Sequence, residues 1–419
     1  MTAFSKADIL LPKNAEMEKW AVVACDQYTS EPEYWAETES ISKGSPSALN
    51  LILPEVYLED KDVDERIGRI HASMKEYLEN GVFEEHKNCL VYLERTQSDG
   101  YVRAGLVGKI DLEQYDYRKG SKSQVRATEA TVVERIPPRI RIRNGAPIEL
   151  PHIMILIDDP EGTVVEQVGA NAGSFAKLYD FKLMQGGGSI KGMLVSDECA
   201  DKALEALEAL GDLDSFNKRY GLSEKSPLVY AMGDGNHSLA TAKEFYEQLK
   251  KAHPGEDLSG HPARYALVEI VNLHSPALRF EAIHRIVTDT DPAALKAALT
   301  DMLALSDEPS EQKIQIVENG VRTDKYIGKP LSKLAVGSLQ QALDKLLPGI
   351  GGKIDYIHGE EVVERLSRAE GSVGFLLPDM GKEELFPTVI VDGALPRKTF
   401  SMGHAADKRY YVEARKIEG

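Results

Sequence analysis

The sequence predicts an α+β protein of mixed α/β character, with mixed rather than purely parallel sheets. Short apolar runs of strand length alternate along the chain with segments whose apolar residues recur at helical spacing. Hairpin signals such as Ser98-Asp99-Gly100 join neighbouring strands and favour antiparallel pairs. At 419 residues the chain is long enough for two or three domains. We therefore expect an N-terminal α/β region (1–120), a central core (121–290) and a smaller C-terminal α/β region (291–419).

Each expected element has its own local signal. Apolar runs bounded by turn residues predict strands at 22–25, 49–53, 89–94, 101–110, 151–157, 227–232, 265–273, 278–287, 371–377 and 385–391. Apolar residues at helical spacing predict helices at 31–40, 62–80, 197–210, 238–252, 293–305 and 339–347. Ser338 is the expected N-cap of the last of these helices.

Composition excludes several classes of partner. The chain carries 67 acidic and 50 basic residues, a net charge of −17, which is the wrong sign for a main partner that is nucleic acid or an anionic membrane. Cys25, Cys89 and Cys199 fit no zinc or redox spacing and favour a reducing compartment. We find no secretory signal and no apolar run of roughly 20 residues. We expect a cytoplasmic protein with a small-molecule ligand, and homo-oligomerisation stays open.

The most informative segment is a turn between an expected strand and an expected helix, Asp234-Gly235-Asn236-His237-Ser238. A helix N-terminus exposes free N–H groups at the positive end of the helix dipole, which favours a bound anion. Gly235 lets the backbone approach a ligand, and Asp234 can hold a metal or accept a proton. The alternative is a helix capped by Asn236 and followed by a solvated histidine.

A second cluster consists of three alternating arginines, Arg139, Arg141 and Arg143. If this segment is extended, the three guanidiniums share one face and suit a carboxylate or a phosphate. A solvated strand face paired with nearby acids is the alternative. Glu129 is close in sequence and is a candidate general base or metal ligand.

Four further segments have both a functional and a structural interpretation. His284 and Arg285 end an expected strand, where one of the two would point into a site. The glycines at 186–188 form either a phosphate nest or a mobile surface loop. Residues 26–30 follow a strand and either line a site or cap the next helix. The basic segment 396–411 either closes over a polyanionic ligand or forms a final strand with charged edges.

Together these segments resemble a widespread bacterial family long carried as a domain of unknown function. The resemblance covers nearly the whole chain and lies in residues 23–34, 126–131, 234–238, 283–286 and 396–403. Many members carry Asp-Gly-His-His-Arg at the turn, whereas this chain has Asn236 and Ser238 in place of the first histidine and the arginine. Thr128-Glu129 stands where His-Glu is usual.

The family's turn is in turn similar to the phosphate-binding turn of the ParB/sulfiredoxin superfamily. That superfamily includes free-serine kinases, a CTP-dependent DNA clamp and a sulfinic-acid reductase. The resemblance therefore implies a ParB/sulfiredoxin-like nucleotide-binding core. The acidic charge disfavours the DNA clamp, and the turn lacks the cysteine that a reductase needs.

The function that the resemblance implies is a kinase that transfers phosphate from ATP or ADP, with Mg²⁺, to a small hydroxyl substrate, best matched by free L-serine. A non-catalytic nucleotide- or phosphate-binding regulator and a nucleotide hydrolase remain alternatives. The implied catalytic residues are Glu129 as base, Asp234 as metal ligand or hydroxyl partner, and His237. The implied phosphate-binding residues are Gly235, Asn236, Ser238, His284 and Arg285, and the substrate-binding residues are Thr131, Arg139 and Arg141. Because the turn lacks its usual arginine, Arg285, Arg139 or Lys243 would supply the charge.

Overall fold

The computed structural model of this protein describes residues 2–129, 136–150 and 152–418. Contacts among these residues divide the chain into two compact units. The larger unit comprises residues 1–278 and the C-terminal segment 404–419, and the smaller unit comprises residues 279–403. Both contain helices and strands, so the expected mixed α/β class is confirmed. The domain cuts expected near residues 120 and 290 stay predictions.

One mixed sheet organises the larger unit. The strands that precede the smaller unit are β1 (Phe4–Ser5), β2 (Ala7–Pro12), β3 (Val22–Val23), β4 (Phe83–Cys89), β5 (Val91–Thr96), β6 (Val102–Asp111), β7 (Tyr115–Asp116), β8 (Val125–Arg126), β9 (Ile148–Glu149), β10 (Met154–Ile157), β11 (Ala176–Lys182), β12 (Ser189–Leu194), β13 (Tyr230–Asp234) and β14 (Tyr265–Asn272). The sheet order is β11-β12-β5-β6-β14-β10-β13-β8-β7, with β1 also paired to β6. The pairs β14–β10, β13–β8 and β8–β7 are parallel. The carboxyl ends of β8 and β13 therefore meet at the same edge.

The central strand β14 is buried along nearly its whole length, as expected for a strand covered on both faces. Neighbouring residues of β14 belong to different apolar clusters: Leu267 packs in one, and Ala266 and Val268 pack in the other. Since successive side chains of a strand point to opposite faces, the sheet has an apolar core on each face.

The helices of the larger unit cover these faces. They are α1 (Met17–Trp20), α2 (Pro32–Ser42), α3 (Val63–Glu79), α4 (Ile136–Arg143), α5 (Val165–Gly169), α6 (Asp197–Leu210), α7 (Leu213–Tyr220) and α8 (Asn236–Ala252). Helix α8 buries Leu239, Ala242 and Tyr246, whose spacing places them on one side of the helix. Lys250 and Lys251 lie in its last turn, where cations interact favourably with the helix dipole.

The smaller unit is built on a second sheet. Its elements are β15 (Phe280–Ala282), β16 (His284–Thr288), α9 (Pro292–Leu303), β17 (Leu305–Ser306), β18 (Lys313–Glu318), β19 (Val321–Ile327), α10 (Ala335–Ile350), β20 (Lys353–Ile357), α11 (Glu360–Leu366), β21 (Val373–Leu376), α12 (Lys382–Asp392) and β22 (Phe400–Met402). Six of these strands form an antiparallel sheet in the order β17-β19-β18-β21-β16-β20. Asp291 caps α9 by accepting hydrogen bonds from the N–H groups of Ala293 and Ala294.

The C-terminal segment returns to the larger unit. Strand β23 (Tyr410–Tyr411) pairs with β3, and β24 (Arg415–Lys416) pairs with β9. Between them, the backbones of Leu10 and Ala414 exchange hydrogen bonds of 2.8 and 2.9 Å. The segment is therefore integrated into the larger unit by backbone pairing.

Most expected helices are confirmed, since α2, α3, α6, α8 and α9 lie where the periodicity placed them. Four expectations are wrong. Residues 49–53 do not form a strand, because a 3-10 helix spans Ala48–Leu51. Residues 385–391 lie in α12, whose buried Leu385, Phe386, Val389 and Ile390 repeat at helical spacing within a run that also reads as a strand.

The other two errors concern helix α4 and the start of α10. Residues 139–143 are helical, and Pro137 and Pro138 occupy the first turn of α4, where their missing N–H groups break no helical hydrogen bond. Ser338 does not cap α10, because that helix begins at Ala335. The Ser338 hydroxyl instead donates a 2.7 Å hydrogen bond to the Gln312 side chain.

A buried ionic cluster joins the C-terminal segment to the central sheet. Glu269 in β14 is fully buried and lies 3.3 Å from the Arg103 guanidinium and 2.9 Å from that of Arg409. Arg409 also pairs with Glu413 at 2.7 Å. A Cβ on Gly105 would lie 2.6 Å from the Glu269 carboxylate, so glycine makes room for this side chain.

We predict that Glu269→Gln lowers the free energy of unfolding by about 3–5 kcal/mol, because it leaves the buried guanidinium of Arg103 without its counter-charge and that of Arg409 with Glu413 alone. Burial opposes ionisation of Glu269, but the two arginines lower its pKa below the usual value. Its contribution is therefore present above the unfolded pKa of about 4.3 and lost as pH falls through the lower folded pKa. Urea unfolding at pH 7 measures the change. The control Glu198→Gln removes an exposed pair with Lys202 and should leave the free energy of unfolding nearly unchanged.

Candidate functional site

The strand-to-helix turn has the geometry of an anion-binding turn. Strand β13 ends at Asp234, Gly235 has φ 79°, and α8 begins at Asn236 with His237 in its first turn. A Cβ on Gly235 would lie 3.0 Å from the Cα of Ile153, so the positive φ and the close approach both require glycine. No side chain caps α8, and Asn236 lies inside the helix, so the capping alternative is wrong. The buried Oδ1 of Asn236 has no hydrogen-bond donor among the described residues.

Asp234 is held between the turn and the C-terminal segment. Its Oδ1 accepts the N–H of Gly235 at 3.0 Å. Its Oδ2 lies 3.3 Å from the ammonium of Lys408, whose side chain is only 15% exposed. The basic segment singled out in the sequence therefore brings a lysine to the turn, and part of it also forms the final strands.

The structure brings Glu129 to the edge of the sheet where Asp234 lies. In the parallel pair β8–β13, Val125 is opposite Tyr230 and Arg126 is opposite Ala231. Glu129 follows Arg126 by three residues, and Asp234 follows Ala231 by three residues. The hydroxyl of Thr128 donates a 2.7 Å hydrogen bond to the carbonyl of Met232, so the two chains still run together beyond the paired strands.

A buried histidine faces the first turn of α8. His152 is 4% exposed and precedes β10. Its Nδ1 lies 2.7 Å from the hydroxyl of Tyr411, and its Nε2 lies 3.4 Å from that of Ser238 and 3.6 Å from Asp26. Burial alone would lower the pKa of His152, but the charge and hydrogen bonding of Asp26 outweigh burial and raise that pKa. Burial also holds the pKa of Tyr411 well above its usual range, so its hydroxyl stays neutral.

Asp26 lies in the loop after β3, 3.6 Å from His152, and it does not cap a helix. Helix α2 begins at Pro32 and has no side-chain cap. Burial opposes ionisation of Asp26, but His152, Gln27 and Lys408 lower its pKa below the usual value. Asp26 is therefore a carboxylate at neutral pH.

A cavity of about 140 Å³ lies beside the first turns of α8. Its polar lining side chains include His152, Ser238, Thr241 and Tyr411 on one side and Glu55 and Arg139 on another. The remaining wall is largely apolar and includes Leu51, Leu53, Met74, Ile142, Ile148 and Ile153. Cys25 also lines the cavity, and burial raises the pKa of its thiol.

The arginines of α4 separate because the segment is helical. Arg139 and Arg143 are four residues apart and both line the cavity. Arg139 pairs with Glu55, and Arg143 pairs with Glu149 at 2.7 Å. Arg141 pairs with Asp64, has a 51% exposed side chain and does not line the cavity. The expectation that all three guanidiniums share one face is therefore wrong.

The remaining sequence candidates belong to the smaller unit or fall outside the described residues. His284 and Arg285 belong to the smaller unit. Arg285 is fully buried and donates to the backbone carbonyls of Ile283, Arg397 and Lys398. The Nδ1 of His284 accepts the N–H of Leu377 at 3.2 Å, and burial lowers its pKa. Thr131 lies outside the described residues.

Sequence reasoning missed His152 and Glu55, and it did not single out Lys408 or Tyr411 within the basic segment 396–411. His152 precedes an apolar strand, and a histidine there is usually part of the core. The feature that would have identified His152 is its pairing with Asp26, which is 126 positions away in the sequence. That pairing exists only in the folded protein.

Within the described residues, no group of three or more histidine, cysteine, aspartate or glutamate side chains has the arrangement of a metal site. No helix in the same residues is long and apolar enough to cross a membrane.

Comparisons with known proteins give the following similarities. No curated protein matches the sequence. Similar solved structures include a free serine kinase in complex with AMP, with 10% identity, a TM-score of 0.38, and 74% of this chain and 90% of that chain covered. A conserved hypothetical protein from Pyrococcus furiosus has 10% identity and a TM-score of 0.34, covering 74% of this chain and 94% of its own. SbnI with C-terminal truncation from Staphylococcus aureus has 9% identity and a TM-score of 0.35, covering 71% and 82%.

A family model matches residues 7–346, which is most of the chain, and confirms the family resemblance seen in the sequence. The chain belongs to the family described as protein of unknown function (DUF1015).

Proposed function

We propose that this protein is a nucleotide-dependent phosphotransferase that acts on a small hydroxyl substrate, with free L-serine as the favoured acceptor. The observation that carries the proposal is the meeting of three features at the start of α8. These are an uncapped helix N-terminus, the neighbouring parallel strands β8 and β13 whose carboxyl ends lead to Glu129 and Asp234, and a small cavity lined by Arg139 and Glu55.

The turn is the proposed phosphate site. The N–H groups at the start of α8 and the dipole of its 17 residues favour a phosphate, and His237 would donate a hydrogen bond to a phosphate oxygen. The buried Oδ1 of Asn236 needs a donor, which a hydroxyl or amino group of a nucleotide would provide. Gly235 keeps the approach to the backbone open.

The cavity is the proposed acceptor site. An engineered cavity of about 150 Å³ holds benzene, so a cavity of about 140 Å³ suits a molecule of roughly six to eight non-hydrogen atoms. Arg139 and Glu55 lie side by side in its wall and match the carboxylate and ammonium groups of a free amino acid. Serine has both groups and the required size.

In the proposed reaction, the acceptor's hydroxyl oxygen forms a bond to the terminal phosphorus of ATP or ADP. The bond between that phosphorus and the departing nucleotide oxygen breaks, and the Glu129 carboxylate takes the hydroxyl proton. Asp234 would orient the hydroxyl or hold Mg²⁺. The products are O-phosphoserine and the nucleotide shortened by one phosphate.

Mg²⁺ fits this site only together with a nucleotide. Mg²⁺ is commonly bound through one or two carboxylates plus substrate phosphates, and Asp234 is the carboxylate we assign to it. When bound, the ion would neutralise charge on the phosphates. The described residues offer no cluster that would hold a metal by itself.

The direct experiment is incubation of the purified protein with Mg²⁺, serine and either ATP or ADP, followed by detection of O-phosphoserine. Product formation supports the proposal. Nucleotide loss without phosphoserine supports a hydrolase, and tight nucleotide binding without turnover supports a non-catalytic regulator.

We predict that Glu129→Gln lowers kcat by roughly 10²–10⁴-fold and leaves nucleotide affinity nearly unchanged, because a base acts mainly in the transition state. Asp234→Asn should weaken metal-dependent nucleotide binding and kcat together, since a metal ligand also acts in the ground state. Steady-state kinetics and calorimetry separate the two effects. Glu244→Gln, on the later part of α8, is the control. Full activity of Glu129→Gln would exclude Glu129 as the base.

A second prediction compares Arg139, which lines the cavity, with Arg141, which does not. Arg139→Gln should raise the KM for serine by roughly 10–100-fold, because it removes a charged hydrogen bond to the carboxylate, with little effect on the Kd for nucleotide. Arg141→Gln, two positions away on the same helix, should leave both constants unchanged. Equal effects of the two substitutions on the KM would place the acceptor outside the cavity.

A further inference from the structure

The turn itself supplies little positive charge for a phosphate. Residues 234–238 include no lysine or arginine, and Asp234 adds a negative charge. A phosphate monoester carries roughly −1.5 to −2 charges at pH 7. The charge that retains it must therefore come largely from other segments.

The lysine and arginines that the sequence suggested for the phosphate already have other partners. Arg285 donates to backbone carbonyls of the smaller unit. Arg139 lies with Glu55 in the cavity wall, where both side chains are assigned to the acceptor. Lys243 lies on α8 but points to Glu247 at 2.7 Å and to Glu113 at 3.8 Å.

Lys408 and His152 are the cations whose positions fit the phosphate site. The ammonium of Lys408 is 3.3 Å from Asp234, and its charge also acts on Asp26. An ammonium has three N–H donors, so a contact to one carboxylate leaves donors for a phosphate. His152 and Ser238 both line the cavity, and the His152 Nε2 lies 3.4 Å from the Ser238 hydroxyl, so a phosphate passing from the turn to an acceptor in the cavity would meet His152.

Both groups are held in place before any ligand arrives. Arg409, which follows Lys408, is buried and paired with Glu269 and Glu413. Tyr411 contacts His152 and lies in β23, which pairs with β3. Arg409 and Tyr411, two residues apart in the C-terminal segment, thus position the lysine and the histidine together.

We propose that Lys408 and His152 supply the positive charge of the phosphate site. Lys408 donates a hydrogen bond to the transferred phosphate, and His152 donates one to the side of that phosphate nearest the cavity. This inference rests on the proposed function, since it assigns further residues to the same site. The ligand class is the terminal phosphate of a nucleoside di- or triphosphate.

The test measures ADP binding by calorimetry in the whole protein, with inorganic phosphate as a minimal probe. Lys408→Met should weaken ADP binding by roughly 10–100-fold, the range for loss of a hydrogen bond to a charged group. Lys408→Arg should recover part of the affinity. Lys416→Met is the matched control, because Lys416 lies on the same segment and pairs with Glu85 at the surface. Circular dichroism checks that each variant is folded.

The outcomes separate this inference from the proposed function. If the wild-type protein binds ADP and both Lys408 variants bind it equally well, the assignment of Lys408 is wrong and the phosphate site can still stand. If the wild-type protein binds neither ADP nor phosphate, the proposed function fails and the inference fails with it. A loss shared by Lys416→Met would mean a general effect of surface charge and would overturn the specific role of Lys408.

The pH dependence of binding tests His152. Its neighbours with charge or titratable groups are Asp26, Glu55, Asp234, Tyr411, Cys25 and, through Asp26, Lys408. The raised pKa keeps His152 cationic to higher pH than usual, and its attraction for phosphate is lost as pH rises through that pKa. The ratio of wild-type to His152→Asn affinity for ADP should therefore fall with rising pH. A ratio that stays constant from pH 5 to 9 would exclude a cationic role.

Discussion

The buried pairing of Arg409 with Glu269 and Glu413 is the interaction on which the candidate site depends. It anchors the C-terminal segment to β14, the central strand, after the chain has passed through the smaller unit. The segment's other side chains at the site, Lys408 and Tyr411, flank this anchor within two residues. Buried ion pairs contribute little net stability, but removing one partner strongly lowers the free energy of unfolding. This pair therefore favours a single register in which the C-terminal segment packs against β14.

The sheet topology provides the second constraint. Parallel pairing of β8 with β13 brings the ends of two distant segments to one edge, and antiparallel pairing of β10 with β13 places His152 beside the same turn. The polar groups therefore meet where strands end and helix α8 begins. At this position the free N–H groups of the helix start and the polar side chains lie close together. They lie outside the apolar cores that cover the two faces of the sheet.

The sequence predicted the features whose signal lies within a few neighbouring residues. It did not predict the features that depend on contacts between distant residues. The turn at 234–238 and helix α8 follow from a glycine, polar residues and helical periodicity within a few positions. The alignment of Glu129 with Asp234 came from the family resemblance, since no local spacing joins them. His152 was missed because a single histidine before an apolar strand is usually part of the hydrophobic core. The arginines of α4 were misassigned because alternating isoleucine and arginine fit a strand, whereas two prolines in the first turn are equally compatible with a helix.

A chain with a net charge of −17 must concentrate cations locally to hold an anion, and here each candidate cation is placed beside a carboxylate. Lys408 lies beside Asp234, His152 beside Asp26, and Arg139 beside Glu55. Such pairs keep flexible or titratable cations charged and oriented without a ligand, which reduces the ordering required on binding. In the proposed reaction, an incoming phosphate competes with Asp234 for Lys408 and with Asp26 for His152, whereas Arg139 and Glu55 exchange their mutual contact for contacts to the acceptor. Nucleotide affinity then becomes a balance between the phosphate and these two aspartates for the same donors.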